Sequence, residues 1–198
     1  MSMQIVLEHL YLVLMSVLAS AIVGLPLGIC AYLYRPARKL VLMVSELLQT
    51  IPALALLGLV MLVFGAGKGT VIIGLVLYSL LPIVHNTFLG LDNIDPAIKE
   101  AAYGMGMSQM DRLGNVELPL AFPMIFTGIR IATVTSVGVA VFATSVGGGG
   151  LGTIINQGIR TQNMQLILSG TLTLMAMAVI FDGGMALIEK RLNKRTTA

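Results

Sequence analysis

Five stretches of roughly twenty apolar residues dominate the chain, at about 6–34, 40–64, 71–91, 123–146 and 164–188. A hydrocarbon layer ~30 Å thick takes about 20 helical residues to cross, and inside it each segment must satisfy its own backbone N–H and C=O groups. Runs of this length and number predict an all-α polytopic membrane protein of five transmembrane helices, with 1–198 as a single membrane domain. Composition agrees: 57% of residues are hydrophobic and 11% charged, whereas a soluble domain carries about a quarter charged residues. Cys30 is the single cysteine and sits in an apolar run, so neither a disulfide framework nor a cysteine metal site is expected. The first run has no Lys or Arg before Arg35 and is too long for the core of a cleaved signal, so it is expected to remain as the first span. Its Gly24 and Gly28, four residues apart, suit close helix packing.

Charge placement orients the spans. Arg35, Arg38, Lys39, Lys99, Arg112, Lys190, Arg191, Lys194 and Arg195 fall in connections that alternate with those holding only Lys68 and Arg160. Cytoplasmic connections collect Lys and Arg, which predicts an external N-terminus, a cytoplasmic C-terminus and a cytoplasmic segment 92–122.

That segment is the longest polar interval. Asp95 suits a helix N-cap and Pro96 the first helical position, where the missing N–H costs nothing. The following residues to Tyr103 favour helix, and Gly104 and Gly106 should end it. Ser108 can cap a second short helix carrying Gln109, Asp111 and Arg112, which Leu118-Pro119 is expected to stop. Glu100-Ala101-Ala102, then Gly106 after three residues, then Val116-Glu117-Leu118-Pro119 after nine more, resembles the EAA loop of binding-protein-dependent ABC importer permeases. Val116 in place of the commoner Ile is the one departure.

The resemblance implies a type I importer permease (MetI-like) architecture in a bacterial cytoplasmic (inner) membrane. The loop would dock into a cleft on a cytoplasmic ATPase subunit. Ala101 and Ala102 would allow close approach, and Lys99, Glu100, Asp111 and Arg112 could pair across the interface. Two ATPase subunits, a second permease chain (the same or a related one) and an extracellular substrate-binding protein are the implied partners. ATP and Mg would be held by the ATPase and no cofactor by this chain, which would be a transport subunit and not an enzyme. An ordinary amphipathic loop is the alternative, and the long spacing between two spans argues against it.

Other stretches look like one branch of these permeases, the importers of quaternary-ammonium osmoprotectants such as glycine betaine, carnitine and choline. They include Gln49-Thr50-Ile51-Pro52-Ala53-Leu54, Tyr78-Ser79-Leu80-Leu81-Pro82, Gly128-Ile129-Arg130-Ile131-Ala132-Thr133 and Gly148-Gly149-Gly150-Leu151-Gly152. His85 stands where such permeases often carry Arg or another residue, which leaves its role open. A quaternary ammonium is best held by an aromatic cage, yet the chain has no Trp and clusters no aromatic residues in any span. Selectivity is therefore expected in the separate binding protein.

Ionisable groups within a bilayer are costly and mark function or internal bracing. Glu46, His85, Arg130 and Asp182 are the candidates, with an Arg130–Asp182 ion pair between the fourth and fifth spans expected first. The glycine run at Gly148, Gly149 and Gly150 reads as an external gate loop hinged to a short helix over 153–160, or as a plain connection. It lacks the Lys of a phosphate-binding loop. Asp182-Gly183-Gly184-Met185-Ala186 overlaps the start of the CDP-alcohol phosphotransferase motif, but the Arg that should follow and the downstream aspartates are missing. His9 and His85 are far apart and no metal-ligand spacing occurs; the methionines read as soft packing. Nothing points to nucleic acid, and lipid is the expected surrounding. The rival functions are a permease for amino acids or methionine and a proton-coupled secondary carrier.

Overall fold

A computed structural model describes residues 2–196, with side chains described through Leu192. Lys194 and Arg195 of the basic tail therefore lie outside the described side chains. The described residues form helices joined by short turns, with no strand among them: α1 (Met3–Leu33), α2 (Arg35–Thr50), α3 (Ala53–Phe64), α4 (Lys68–Asp92), α5 (Pro96–Gly104), α6 (Gln109–Arg112), α7 (Leu118–Val139), α8 (Leu151–Arg160) and α9 (Met164–Thr196). A π-helical turn (Leu113–Glu117) joins α6 to α7, and a 3-10 segment (Ala140–Val146) extends α7.

Four helical stretches are long and apolar enough to cross a membrane: α1, α4, the continuous run 109–146, and α9. The window 40–64 is not one rod. It divides into α2 and α3, bent by 103° at Ile51-Pro52, and supplies a fifth span only if the pair is counted together. The cause is local: Pro52 pushes Ile51 into extended backbone, with φ −69° and ψ 128°. α2 is amphipathic and begins right after Tyr34, so Arg35, Arg38 and Lys39 open a helix as well as closing the first span.

The reverse happens at Leu118-Pro119, where a helix stop was expected. The chain runs helically from Gln109 to Val146 through this point. The Leu118 N–H donates to Leu113 O, five residues back, in the π turn. That wider turn gives the Pro119 ring room against the preceding carbonyls, which an α turn would deny it. The polar connection is accordingly shorter than 92–122, since α4 reaches Asp92 and α7 begins at Leu118.

Packing centres on α4, which lies against α1 on one side and α7 on the other. Small residues set these crossings. A Cβ on Gly28 would meet Thr87 Cβ at 2.6 Å and Val84 O at 2.9 Å, so α1 and α4 touch backbone to backbone. Ser79 and Ser136 hydrogen bond at 2.9 Å within the buried α4–α7 seam. One apolar cluster, including Leu12, Leu75, Val137 and Leu151, fills the end near the start of α1. Another, Leu91, Ile94, Leu113, Ala121 and Ile125, lies under the α5–α6 connection at the opposite end. By contrast only 6% of the apolar window of α9 is buried, against 56% for α4.

Candidate functional site

The α5–α6 connection folds as its capping residues dictate. The Asp95 carboxylate accepts the Ala97 N–H at 2.8 Å, and Pro96 opens α5. At the other end Gly106 takes φ +81°, while Met107 N–H donates to Ala102 O at 3.2 Å and Gly106 N–H to Tyr103 O at 2.9 Å. This is the glycine-terminated pairing that closes a helix sharply. Gly104, by contrast, is the last residue of α5. Ser108 then accepts the Asp111 N–H at 3.2 Å and starts α6.

The elbow has an inner and an outer side. Ala102 is the buried member of α5, whereas Glu100, Ala101 and Tyr103 are exposed. Tyr103, Met105 and Met110 are 74%, 71% and 67% exposed, which puts large apolar side chains around small Ala101 on an outward surface. On the inner side Lys99 Nζ donates to Leu91 O at 2.9 Å and to Asp92 O at 3.4 Å. It thus caps the carbonyl end of α4, where a cation is favoured, and sits 5.1 Å from the Tyr32 ring centre. Arg112 Nε donates to Glu117 Oε1 at 2.7 Å, and the Ser108 hydroxyl donates to the Asp111 carboxylate. Lys99, Asp111 and Arg112 are therefore engaged within the chain. Glu100, the fourth charged residue expected to pair across an interface, has no hydrogen-bond or ion-pair partner among the described residues. Leu118 and Pro119 form the first turn of α7 below the elbow.

A second clamp holds this end together. Arg38 of α2 reaches Asp92 at 3.4 Å and lies 4.6 Å above the Phe88 ring, tying α2 to the end of α4.

Of the four ionisable residues expected within spans, the structure brings two together. Arg130 Nη2 lies 2.7 Å from Asp182 Oδ1, and Nη1 lies 2.8 Å from Glu189 Oε2. Glu189 also accepts from the Thr127 hydroxyl. One guanidinium thus bridges two carboxylates on α9, leaving one net negative charge on the α7–α9 seam. Glu189 lies just past the apolar window 164–188 and so is not among the expected candidates; the seven-residue step from Asp182, two helical turns, is the signal that places both on one face. Glu46 is exposed on α2 and His85 half-buried on α4, each without a hydrogen-bond or ion-pair partner among the described residues. No group of three or more metal-ligating side chains occurs among the described residues.

At the opposite end the glycine run is packed closely. Glu8 and His9, in the first turns of α1, receive the start of α8: Gly150 N–H donates to Glu8 Oε2 at 3.0 Å and Leu151 N–H to His9 Nδ1 at 3.3 Å. Lys68 joins Glu8 at 2.7 Å. His9 Nε2 donates to Val137 O at 3.1 Å, so the fully buried imidazole is fixed as the neutral Nε2–H tautomer by a partner on each nitrogen. A Cβ on Gly149 would lie 2.4 Å from Glu8 Oε2, and one on Gly148 2.3 Å from Val71 Cγ2. The run thus serves close approach of α1 and α4 to the α8 start. From sequence, His9 and Lys68 enter only through metal spacing and orientation, and Glu8 not at all; a carboxylate and an imidazole at the head of an apolar run were the available signal. Beside this clasp, Thr144, Ser145, Thr153, Asn156, Gln157 and Arg160 line a polar cavity of about 580 Å³.

Comparison with known proteins places these features in a family. The family model for the "binding-protein-dependent transport system inner membrane component" matches residues 9–194. The glycine betaine/carnitine/choline transport system permease protein OpuCD of Bacillus subtilis (strain 168) is 44% identical over 187 residues, covering 94% of this chain and 82% of that one. The choline transport system permease protein OpuBD of the same organism is 43% identical, covering 96% and 87%. The carnitine transport permease protein OpuCD of Listeria monocytogenes serotype 1/2a (strain 10403S) is 41% identical, covering 94% and 84%. Among solved structures, a chain of the inward-facing MetNI methionine ABC transporter superposes with a TM-score of 0.87 at 23% identity, covering 97% of this chain and 99% of that one, which shows the fold. Membrane components of this kind are transport subunits that work with an ATPase and a substrate-binding protein, not enzymes. With the match running almost end to end, this chain belongs to the binding-protein-dependent transport-system inner-membrane component family, the permeases of ABC importers.

Proposed function

We propose that this permease imports quaternary-ammonium osmoprotectants (glycine betaine, carnitine, choline) handed over by a separate extracellular binding protein. The reading rests on the names of three similar relatives, at 41–44% identity; a chain without Trp fits selectivity residing in the separate binding protein. The chain forms half of a low-affinity path. A second permease chain, the same or related, forms the other half, and two ATPase subunits supply ATP and Mg.

The outward surface of the α5–α6 elbow is the observation that carries the mechanism. Exposed Ala101 flanked by Tyr103, Met105 and Met110, with unpaired Glu100 beside them, suits insertion into a cleft on the ATPase. Lys99 ties that elbow to the end of α4, which the Arg38–Asp92 clamp joins in turn to α2, so displacement of the elbow moves the spans. The elbow end holds most of the basic residues, which by charge bias makes it cytoplasmic, with the N-terminus outside. Nucleotide then biases a two-state membrane unit, closing the elbows together and opening the path outward.

The test is uptake into proteoliposomes holding the permease pair and its ATPase, with binding protein outside and ATP inside. Labelled glycine betaine, carnitine and choline should accumulate only when all components are present. Accumulation of methionine or other amino acids instead would replace the cargo, and uptake driven by a proton gradient without the ATPase would make the chain a secondary carrier.

A further inference from the structure

Glu117 lies between Val116 and Leu118-Pro119, and its side chain is 1% exposed. It ends the π turn, one residue before α7. Its Oε1 accepts from Arg112 Nε at 2.7 Å, while its Oε2 is buried with no hydrogen-bond partner among the described residues. A carboxylate buried this far is costly, and half-satisfied more so. Apolar Leu113 and Leu118 beside it would accept an apolar neighbour at lower cost. The pair also spans a notable junction: Arg112 closes α6, Glu117 begins the path into α7, and between them lies the π turn, a widened stretch of helix that can shift register more easily than an α turn.

We propose that Arg112–Glu117 is the joint that fixes the docking elbow rigidly to α7, with Glu117 a positioning residue for coupling and Arg112 its partner inside the chain instead of a contact to the ATPase. This rests on reading the elbow as the ATPase-docking element. A directional charged hydrogen bond across the π turn holds α6 and α7 in one register, so displacement of the elbow is delivered to α7, which carries Arg130 and the α9 seam. An apolar contact at the same place would fill the space and could slip. Tyr32 of α1 lies beside the Glu117 carboxylate and is the adjacent hydroxyl donor.

The experiment uses the assembled transporter with variants Glu117→Leu, Arg112→Leu and the double variant. Three quantities are read: ATPase retained on co-purification, thermal midpoint of the complex, and cargo transported per ATP hydrolysed. ATPase retention should stay at the native level in all three, because the outward surface is untouched. Each single variant should lower both the midpoint and the transport-to-hydrolysis ratio, the latter by about tenfold, the size typical of a disturbed coupling element. The double variant, which leaves no unpaired buried charge, should recover the midpoint but not the ratio. Recovery of both together would reduce the pair to a stability role and overturn the joint, as would a native ratio in the single variants. Loss of ATPase retention confined to the Arg112 variants would return Arg112 to the interface and also overturn it. A native complex that retains no ATPase would instead overturn the docking reading on which the joint depends.

Discussion

Arg130 shows how one residue can serve two partners in a place where charge is expensive. It reaches Asp182 and Glu189, two turns apart on one face of α9, with Thr127 supporting Glu189. An isolated Arg130–Asp182 pair would make loss of Asp182 severe, since an unpaired charge remains behind. With Glu189 present, Asp182→Ala leaves the guanidinium paired. We expect Asp182→Ala to cost less than ~1 kcal/mol, in line with its half-exposed carboxylate. Arg130→Met strands both carboxylates and should cost on the order of 1–3 kcal/mol. Thermal unfolding of the purified transporter measures the two, and an Asp182→Ala loss equal to that of Arg130→Met would refute the three-way arrangement. The pair itself was readable from two opposite charges at matching depth. The third member was harder to see, because Glu189 lies just past the apolar window 164–188 and only its seven-residue step from Asp182 marks a shared face.

Among elements, the α1–α4 crossing is the seam on which the rest leans. Gly28 lets the α1 backbone approach Val84 O and Thr87, so Gly28→Leu must push the helices apart. A loss of ~1–3 kcal/mol is expected from overpacking alone, read as a lower yield of assembled complex and a lower thermal midpoint. Gly183→Ala is the matched control: nothing lies within 4 Å of the added carbon, and Ala should be neutral or stabilise the helix by ~0.5–1 kcal/mol. The spacing of Gly24 and Gly28 announced a close contact in advance, but gave no indication of which helix would fill it. The α2–α3 break and the uninterrupted passage through Leu118-Pro119 are the complementary lesson. Both sites carry an X-Pro pair, yet one bends by 103° and the other continues through a π turn. Proline limits the local backbone at both; the helix continues only where the turn before the proline widens.

For the whole molecule, connections fall at two ends. One gathers the start of α1, the turn before α4 and the glycine run before α8, joined by Glu8, His9 and the Gly67 N–H to Val146 O bond at 2.8 Å. The other gathers the ends of α1 and α4 with the elbow. The proposed orientation then makes a direct prediction. In a Cys30→Ser background, Gln157→Cys should react with a membrane-impermeant thiol reagent in intact cells, and Gln109→Cys only after permeabilisation. The opposite pattern would invert the transporter and remove the elbow from the compartment where ATP is found. The sparsely buried α9 leaves an apolar face for lipid or for the proposed second permease chain to cover.

Sequence by itself determined the membrane class, the helical content, the capping of the elbow and the family, because these depend on run length, local backbone preference and fixed spacing. Tertiary structure alone decided that Lys99 and Arg112 turn inward while Glu100 stays exposed, that the glycine run is a packed seat for Glu8 and His9, and that Glu117 is buried. Those outcomes depend on which distant backbone atoms come within a few ångströms. No one-dimensional pattern encodes such distances, because every one of these partnerships is set by how helices cross or fold back on one another in space.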